Sequence, residues 1–223
     1  MLSTVRLGGR SGGDVLVDHD PNASYTPQQG GDGLVAAVGD INGDGYGDLV
    51  AGDPDDAHAA AADGSLGGRI SIWYGSKSGV SAAASRVRVD QSTAGVPGTA
   101  ERGDEFGSSL TVTDLNHDGL ADIVVGAPGE AIGTKTSAGA VTVIPGRRSG
   151  TPGTGSYTIT QDSPNVPGGS ESGDEFGSSL AAGDLNKDGR PELIIGGGGE
   201  DGYRGAAWVL PGGSSARPPT TPS

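Results

Sequence analysis

Three short loops of one design constrain the fold of this chain more than any other sequence feature. They occupy residues 40–48, 114–122 and 184–192 and follow the pattern D-x-N-x-D-G-x-x-D, with Glu as the last residue of the third loop. Their flanks also repeat, since EFGSSL stands at residues 105–110 and again at 175–180. Self-similarity at a spacing of roughly 70 residues predicts a repeat architecture.

Short apolar runs, bounded by Gly, Asp and Pro, recur in the same order in each unit. Such runs indicate β-strands separated by turns, and four short antiparallel strands per unit are typical of a propeller blade. No stretch shows a helical period over three turns, so almost no helix is expected. The predicted strands are residues 33–38, 49–52, 69–74 and 86–89 in the first unit, 123–126, 140–144 and 157–160 in the second, and 193–196 and 206–210 in the third.

These units predict an all-β, propeller-like chain with about three four-stranded antiparallel blades. Closed propellers usually need four to eight blades, so we expect a second copy, a protein partner or further sequence of a longer parent to complete the ring. The strand at residues 15–18 is a candidate to complete a neighbour's last blade. The predicted divisions are a two-stranded half blade (1–28), blade 1 (29–92), blade 2 (93–163), blade 3 without its last strand (164–213) and a flexible tail (214–223).

The three loops predict three calcium sites. Calcium takes six to eight oxygen ligands, and loop positions 1, 3, 5 and 9 offer side-chain oxygens while position 7 can add a backbone carbonyl. Glycine at position 6 allows a sharp turn around the ion. The predicted ligands are Asp40, Asn42, Asp44, Tyr46 and Asp48 in loop 1, Asp114, Asn116, Asp118, Leu120 and Asp122 in loop 2, and Asp184, Asn186, Asp188, Arg190 and Glu192 in loop 3.

Two other interpretations of the loops compete with this one. An EF-hand needs a bidentate Glu at position 12 and flanking helices, but position 12 is Ala51, Val125 or Ile195, each within an apolar run. Asp, Asn and Gly also make good turns without any metal. A plain turn needs two or three such residues, whereas all three loops keep four oxygen-bearing positions, which favours the metal interpretation.

Composition excludes several classes of function. The formal charge of −14 argues against nucleic acid as a partner. There is no cysteine, so disulfides and thiolate metal sites are excluded. No apolar stretch is long enough to span a membrane, so membrane insertion is not expected. The N-terminus lacks the apolar segment of a signal peptide, and the composition suggests a GC-rich bacterial source. A secreted, extracellular location is expected.

The motifs also resemble a known family. Phe106 and Gly107, followed by Gly126, Ala127 and Pro128, resemble the FG-GAP repeat of the integrin α-subunit propeller. The third unit keeps FG but has GGG at residues 196–198, and the first unit has DG at 32–33 and GDP at 52–54. The resemblance covers roughly residues 30–212 and implies propeller blades, structural calcium and extracellular recognition.

The sequence thus predicts a binding or assembly module rather than an enzyme. Protein or surface recognition, including cell adhesion, is the main hypothesis; a lectin that binds cell-surface glycans and an accessory domain of a secreted hydrolase are the alternatives. Trp73 and Trp208 occupy corresponding strands, where blade packing is favoured over sugar stacking. The RGD at residues 102–104 is explained by the repeat, and the GRSGG at 9–13 lacks the helix that a nucleophile elbow requires.

Overall fold

The computed structural model of the chain describes residues 4–6, 14–16, 35–54, 67–81 and 86–213. Within these ranges it contains thirteen β-strands and a single four-residue helical turn, α1 (Glu200–Tyr203). Inside α1, Asp201 and Gly202 have left-handed backbone angles, so this turn is not regular helix. The prediction of an all-β, propeller-like fold is confirmed.

The strands form three successive antiparallel sheets, which we call blades, and a separate two-stranded ribbon. In each blade the strands lie side by side in chain order, as a meander. Blade 1 consists of β3 (Ala36–Gly39), β4 (Asp48–Asp53), β5 (Arg69–Trp73) and β6 (Val87–Val89); blade 2 of β7 (Ser109–Thr113), β8 (Asp122–Ala127), β9 (Ala140–Ile144) and β10 (Tyr157–Ile159); blade 3 of β11 (Phe176–Gly183), β12 (Glu192–Gly197) and β13 (Ala206–Leu210). Up to residue 213, blade 3 has three strands.

The second strand is deeply buried in blades 1 and 2, where both of its faces are covered. In β8 every residue is buried, and successive side chains contact blade 1 and blade 3 in turn. Ile123 belongs to the apolar cluster shared with blade 1, whereas Val124 belongs to the cluster shared with blade 3. This two-sided burial explains why the second strands read as continuous apolar runs rather than as alternating ones.

Hydrogen bonds as well as apolar contacts join consecutive blades. The carbonyl of Ile41 accepts a bond of 2.8 Å from the N–H of Arg147, and the carbonyl of Leu115 accepts one of 2.7 Å from the N–H of Gly213. Position 2 of loops 1 and 2 thus binds the blade that follows it. The three blades follow one another in this way without forming a closed ring.

The two N-terminal strands, β1 (Thr4–Arg6) and β2 (Asp14–Leu16), pair with each other in antiparallel register. They lie within the predicted half blade, whose other residues are outside the described ranges, as are the GRSGG segment and the tail at 214–223. The predicted boundaries between blades stay predictions. Among the described residues, no helix has the length and apolar character needed to cross a bilayer.

Candidate metal centre

Each D-x-N loop connects the first strand of a blade to the second, so each candidate site sits at a strand hairpin. The glycine at position 6 has a left-handed backbone in every loop, with φ of 87°, 85° and 86° at Gly45, Gly119 and Gly189. The sharp turn predicted there is confirmed. The residues at position 12 lie inside β4, β8 and β12, so the exclusion of an EF-hand is also confirmed.

The oxygens of positions 1 and 3 converge on one backbone group. In loop 2 the N–H of Asp118 lies 3.0 Å from Asp114 Oδ1 and 2.8 Å from Asn116 Oδ1. The corresponding distances are 3.1 and 2.9 Å at the N–H of Asp44, and 3.1 and 2.7 Å at the N–H of Asp188. In loop 1, Asp40 Oδ1 also accepts a bond of 2.7 Å from the N–H of Gly43. The oxygen of the position-3 amide keeps a second lone pair in each loop.

The carboxylate of position 5 is oriented by the residue two positions ahead. Asp118 Oδ1 accepts a bond of 2.9 Å from the N–H of Leu120, which leaves Oδ2 without a role in that turn. Asp44 and Asp188 make the same Asx turn, at 2.9 and 2.8 Å. Positions 1, 3 and 5 are therefore preorganised by the backbone of the loop itself.

The acid at position 9 begins the second strand and is buried in all three loops. Asp122 Oδ2 accepts a bond of 3.1 Å from the N–H of Leu115, and its Oδ1 accepts one of 2.9 Å from the N–H of Gly146, after the third strand. Asp48 makes the equivalent bonds to Ile41 and Gly75. This carboxylate thereby joins the loop to the third strand of its own blade.

Burial makes the position-9 carboxylate costly to charge. Desolvation is the main reason that the pKa of Asp122 is raised to about 6, and the charge of Asp118 acts in the same direction. Bonds from the N–H groups of Gly146, Asn116 and Leu115 oppose the shift. Desolvation likewise raises the pKa of Asp48 above its ordinary value. A cation beside these carboxylates would favour their ionised form.

The side-chain amide of the asparagine at position 3 donates hydrogen bonds to the carboxylates of its loop. In loop 3, Asn186 Nδ2 lies 3.0 Å from Asp188 Oδ2 and 2.9 Å from Glu192 Oε1, so one amide N–H₂ bridges positions 5 and 9. Asn42 Nδ2 contacts Asp44 at 3.0 Å, and Asn116 Nδ2 contacts Asp122 at 3.4 Å. The amide thus contacts position 5 in loop 1, position 9 in loop 2 and both positions in loop 3. The all-oxygen donor set fits a hard cation such as calcium.

Within the described part of the chain, which contains all three loops, no three acidic or imidazole groups lie at the spacing of a formed metal site. The reason is that the position-9 acid faces inward to backbone N–H groups, while positions 1 and 5 face the loop. Each loop brings the oxygens of positions 1 and 3 to the N–H of position 5, and the asparagine amide contacts position 9 in loops 2 and 3. All the residues named as calcium ligands from the sequence, at positions 1, 3, 5, 7 and 9 of each loop, stay predicted ligands.

Loop 3 differs from the other two. Glu192 Oε2 accepts a bond of 2.7 Å from the N–H of Leu185, but its Oε1 binds Asn186 rather than a glycine after the third strand. Leu185 is 63% exposed, whereas its counterparts Ile41 and Leu115 are 5% and 1% exposed. The difference arises because loops 1 and 2 each pack on a following blade, and loop 3 has no following blade among the described residues.

Position 4 carries a feature that sequence reasoning missed. Its backbone is left-handed in all three loops, with φ of 71° at Gly43, 62° at His117 and 64° at Lys187. Only the glycine of loop 1 could have signalled this conformation, because His and Lys seldom adopt it. The contact between Arg148 Nη1 and the carbonyl of Gly43, at 3.0 Å across the junction of blades 1 and 2, had no sequence signal either.

Two features that suggested other binding functions are structural. Asp104 of the RGD segment is buried and accepts a bond of 2.6 Å from the N–H of Glu101, so it shapes a turn. Trp73 and Trp208 are both buried, and Trp208 packs edge-to-face on Phe176 with ring centroids 4.9 Å apart. Blade packing is therefore confirmed for the two tryptophans.

Comparison with known proteins agrees with this architecture. The FG-GAP repeat family matches residues 106–144 and 176–210, which span the first three strands of blades 2 and 3. The phosphatidylinositol-glycan-specific phospholipase D of mouse is 33% identical over 192 residues, covering 85% of this chain and 21% of the relative. The human protein of that name is 33% identical over 166 residues, covering 74% and 18%.

Integrin subunits are similar to a shorter part of the chain. Mouse integrin alpha-7 is 36% identical over 115 residues, covering 49% of this chain and 9% of the relative. The chain thus spans about a fifth of the length of the phospholipases it matches and less of the integrin. The shared repeats, the Phe-Gly turns and the three-sheet meander make this chain an FG-GAP repeat protein.

Proposed function

We propose that this chain is a calcium-binding FG-GAP propeller module that serves extracellular protein or surface recognition and assembly. The observation that carries the proposal is the repeated convergence of oxygens at positions 1 and 3 on the N–H of position 5, seen in all three loops. The position-5 carboxylate accepts a turn bond of its own in each loop, and asparagine contacts the buried position-9 acid in loops 2 and 3.

The place of the loops gives calcium a structural consequence. The carbonyl of Asp40 accepts a bond of 2.9 Å from the N–H of Ala121, and the next carbonyl, of Ile41, binds Arg147. A cation in loop 1 would hold the backbone that docks on blade 2, and a cation in loop 2 would do the same for blade 3. Calcium would therefore stabilise the junctions between blades as well as the hairpins, and metal binding would be coupled to folding.

Calcium binding is tested by comparing thermal unfolding of the full chain in calcium and in EDTA. At a ligand concentration of about 100 Kd, each site contributes roughly 2.7 kcal/mol. Extracellular modules of low affinity, with Kd of about 10⁻⁴–10⁻³ M, require calcium at roughly 10–100 mM to reach this effect. We expect a clear rise in Tm with calcium and a smaller rise with magnesium, which demands stricter octahedral geometry.

Asp118→Asn isolates the metal contribution. The amide oxygen can still accept the bond from the N–H of Leu120, so stability in EDTA should change little, while the calcium-dependent rise in Tm should shrink. His117→Asn is the matched control, because it changes an exposed neighbour that is not a predicted ligand and Asn tolerates the left-handed backbone. An unchanged melting curve of the wild-type chain in EDTA and in calcium would contradict the proposal.

A second candidate role is that of an accessory domain of a secreted hydrolase. It is favoured by the similarity to proteins named as phospholipases, of which this chain spans about a fifth. The complete reading frame decides this point: a neighbouring catalytic domain would support it, and a frame with no such domain would exclude it. Glycan binding has no comparable support, because both tryptophans are buried.

A further inference from the structure

Loops 1 and 2 are joined by a direct backbone hydrogen bond, although they belong to different blades. The carbonyl of Asp40, at position 1 of loop 1, accepts a bond of 2.9 Å from the N–H of Ala121, at position 8 of loop 2. Ala121 stands between Leu120 and Asp122, the predicted ligands at positions 7 and 9. The backbone that carries one ligand of the first candidate site is therefore bonded to the backbone that carries two ligands of the second.

A second link runs through the segment after the third strand of blade 2. Gly146 donates its N–H to Asp122 Oδ1 at 2.9 Å. The next residue, Arg147, donates its N–H to the carbonyl of Ile41 at 2.8 Å. A Cβ on Gly146 would lie 2.6 Å from the carbonyl oxygen of Ala121 and 3.0 Å from that of Ile41, so the three segments meet at their backbones. Two consecutive residues thus bind the position-9 acid of loop 2 and position 2 of loop 1.

Side chains of blade 2 also contact position 4 of loop 1. Arg148 Nη1 lies 3.0 Å from the carbonyl oxygen of Gly43. A Cβ on Gly43 would lie 2.5 Å from Leu120 Cδ2, so the side chain of Leu120 packs directly on the backbone of loop 1. Leu120 is accordingly buried. Backbone bonds, a guanidinium and an apolar contact from blade 2 therefore all hold loop 1.

Loop 3 lacks the donor of the first link. Its position 8 is Pro191, and proline has no N–H. The carbonyl of Asp114, at position 1 of loop 2, therefore has no position-8 donor in loop 3. The second link is kept, because the N–H of Gly213 donates a bond of 2.7 Å to the carbonyl of Leu115. Position 7 of loop 3 is the exposed Arg190, so the junction of loops 2 and 3 is less tightly built.

These contacts would make the cost of ordering one loop depend on its neighbour. A cation requires the oxygens of its loop in one arrangement, and holding a loop in that arrangement costs conformational entropy. A cation in loop 2 would fix the backbone of positions 7 to 9, which donates to position 1 of loop 1 and packs on its position 4. Loop 1 would then lose less entropy when its own cation binds. The effect holds in both directions, since coupling between two binding sites is reciprocal.

We propose that the calcium sites of loops 1 and 2 (sites 1 and 2) form a cooperative pair across the junction of blades 1 and 2, and that the site of loop 3 (site 3) is coupled to them far more weakly. Binding at one site of the pair would favour both binding at the other and the packing of the two blades. This coupling rests on the calcium binding proposed above and adds a property that three independent loops would not have.

The glycines at position 6 give one reporter for each site. The N–H groups of Gly45, Gly119 and Gly189 donate to Oδ2 of the position-1 carboxylate of their own loops, at 2.8, 2.9 and 3.0 Å. Their amide chemical shifts in the full chain are followed while calcium is titrated. The calcium concentration at half-saturation, which we call the midpoint, is then measured separately for each site.

Asp118→Asn measures the coupling of site 2 to site 1. It removes a predicted ligand of site 2 and keeps an acceptor for the turn bond of that loop. The Gly45 midpoint should rise at least about 5-fold, the lower end of the usual range for coupled sites. The Gly189 midpoint should stay almost unchanged, because the junction of loops 2 and 3 lacks the position-8 bond.

Asp44→Asn is the reciprocal variant. It should raise the Gly119 midpoint by the same factor by which Asp118→Asn raises the Gly45 midpoint. Asp188→Asn makes the matched change in loop 3 and should leave the Gly119 midpoint almost unchanged.

Ala121→Pro tests the first link. It removes the N–H that binds the carbonyl of Asp40 and introduces the residue that loop 3 has at the same position. In this background, Asp118→Asn should raise the Gly45 midpoint much less than in the wild-type chain.

Arg148→Met is a milder variant that needs no change within a loop. It removes the contact with the carbonyl of Gly43 and should likewise shrink the effect of Asp118→Asn on site 1. Arg204→Met is the matched control, because it makes the same change at an exposed arginine outside the three loops. It should leave the coupling intact.

The outcomes separate the coupling from calcium binding itself. A Gly45 midpoint that Asp118→Asn leaves unchanged, or raises no more than it raises the Gly189 midpoint, would overturn the cooperative pair. Unequal effects of the two reciprocal variants would also overturn it, because they would indicate damage to the fold. In both cases saturable shifts at the three glycines would leave the calcium sites standing. Shifts that saturate at none of the three glycines would refute calcium binding, and the coupling with it.

Discussion

The substitutions Leu115→Ala and Leu185→Ala truncate equivalent leucines, at position 2 of loops 2 and 3, that lie in opposite surroundings. Leu115 is 1% exposed and packs among residues of blades 2 and 3, whereas Leu185 is 63% exposed. Deleting a buried Leu side chain loses its transfer free energy and leaves a cavity, which together cost about 2–5 kcal/mol. Truncating an exposed side chain usually changes stability by no more than about 0.5 kcal/mol.

The assay is equilibrium unfolding in urea. With a slope of about 2–3 kcal/mol/M, Leu115→Ala should lower the midpoint by roughly 1–2 M. Leu185→Ala should leave the midpoint almost unchanged. Both variants are measured in EDTA and again in calcium, because the leucines belong to the loops and a change in metal affinity would otherwise contribute.

Equal losses for the two variants would refute this reasoning. Such a result would mean that Leu185 is covered in the native molecule, so that the last blade has a neighbour even in the isolated chain. Loss of stability only in calcium would instead place the effect of Leu115 in metal binding rather than in the packing between blades.

Further outcomes follow from other matched positions. Gly139→Ala should destabilise the chain by more than Gly205→Ala in thermal unfolding, because both glycines have positive φ but only at Gly139 would the added Cβ lie 2.2 Å from a backbone oxygen; equal losses would contradict the close contact. Desolvation raises the pKa of Glu130, so the stability that its neutral form contributes is present below its ordinary pKa of about 4.3 and is lost as pH rises through the raised value. Glu130→Gln should therefore gain Tm relative to the wild type as pH increases from about 4 to 7. Bonds from Ser170 and Lys135 lower the pKa of Asp162, so the stability that its charged form contributes is present above its ordinary value of 3.8 and is lost as pH falls below it. The Tm advantage of the wild type over Asp162→Asn should therefore shrink below about pH 4 and stay constant from about pH 4 to 7; an advantage that grows on acidification would contradict this assignment.

Much of the architecture could be predicted because its determinants are local. The third strands at residues 140–144 and 206–210 were predicted with the bounds they have, since β-branched and apolar residues lie between glycine and proline. The second strands extend one residue further at each end than the apolar runs. Their first residue is the position-9 acid. A charged side chain predicts a loop residue, and only its hydrogen bonds to backbone N–H groups show that it belongs to the strand.

The candidate site also has features that the loop sequence predicts and features that depend on distant residues. The sharp turn of the loop and the oxygens at positions 1, 3 and 5 could be predicted from the sequence, because Asx turns and the glycine at position 6 depend on residues within the loop. The partners of the position-9 acid were not, since Gly75 and Gly146 lie more than twenty residues away along the chain. The left-handed backbone at His117 and Lys187 was also hidden, because their side chains do not indicate it.

The sequence alone determined the repeat, the strand order within a blade and the oxygen-rich loops, because each depends on short-range patterning. Only the tertiary structure decided which faces are covered. Leu115 and Leu185 occupy the same motif position, and Gly139 and Gly205 the same turn, yet one of each pair is buried and the other exposed. Burial is a property of the neighbouring blade, and nothing local to a residue encodes whether that neighbour is present.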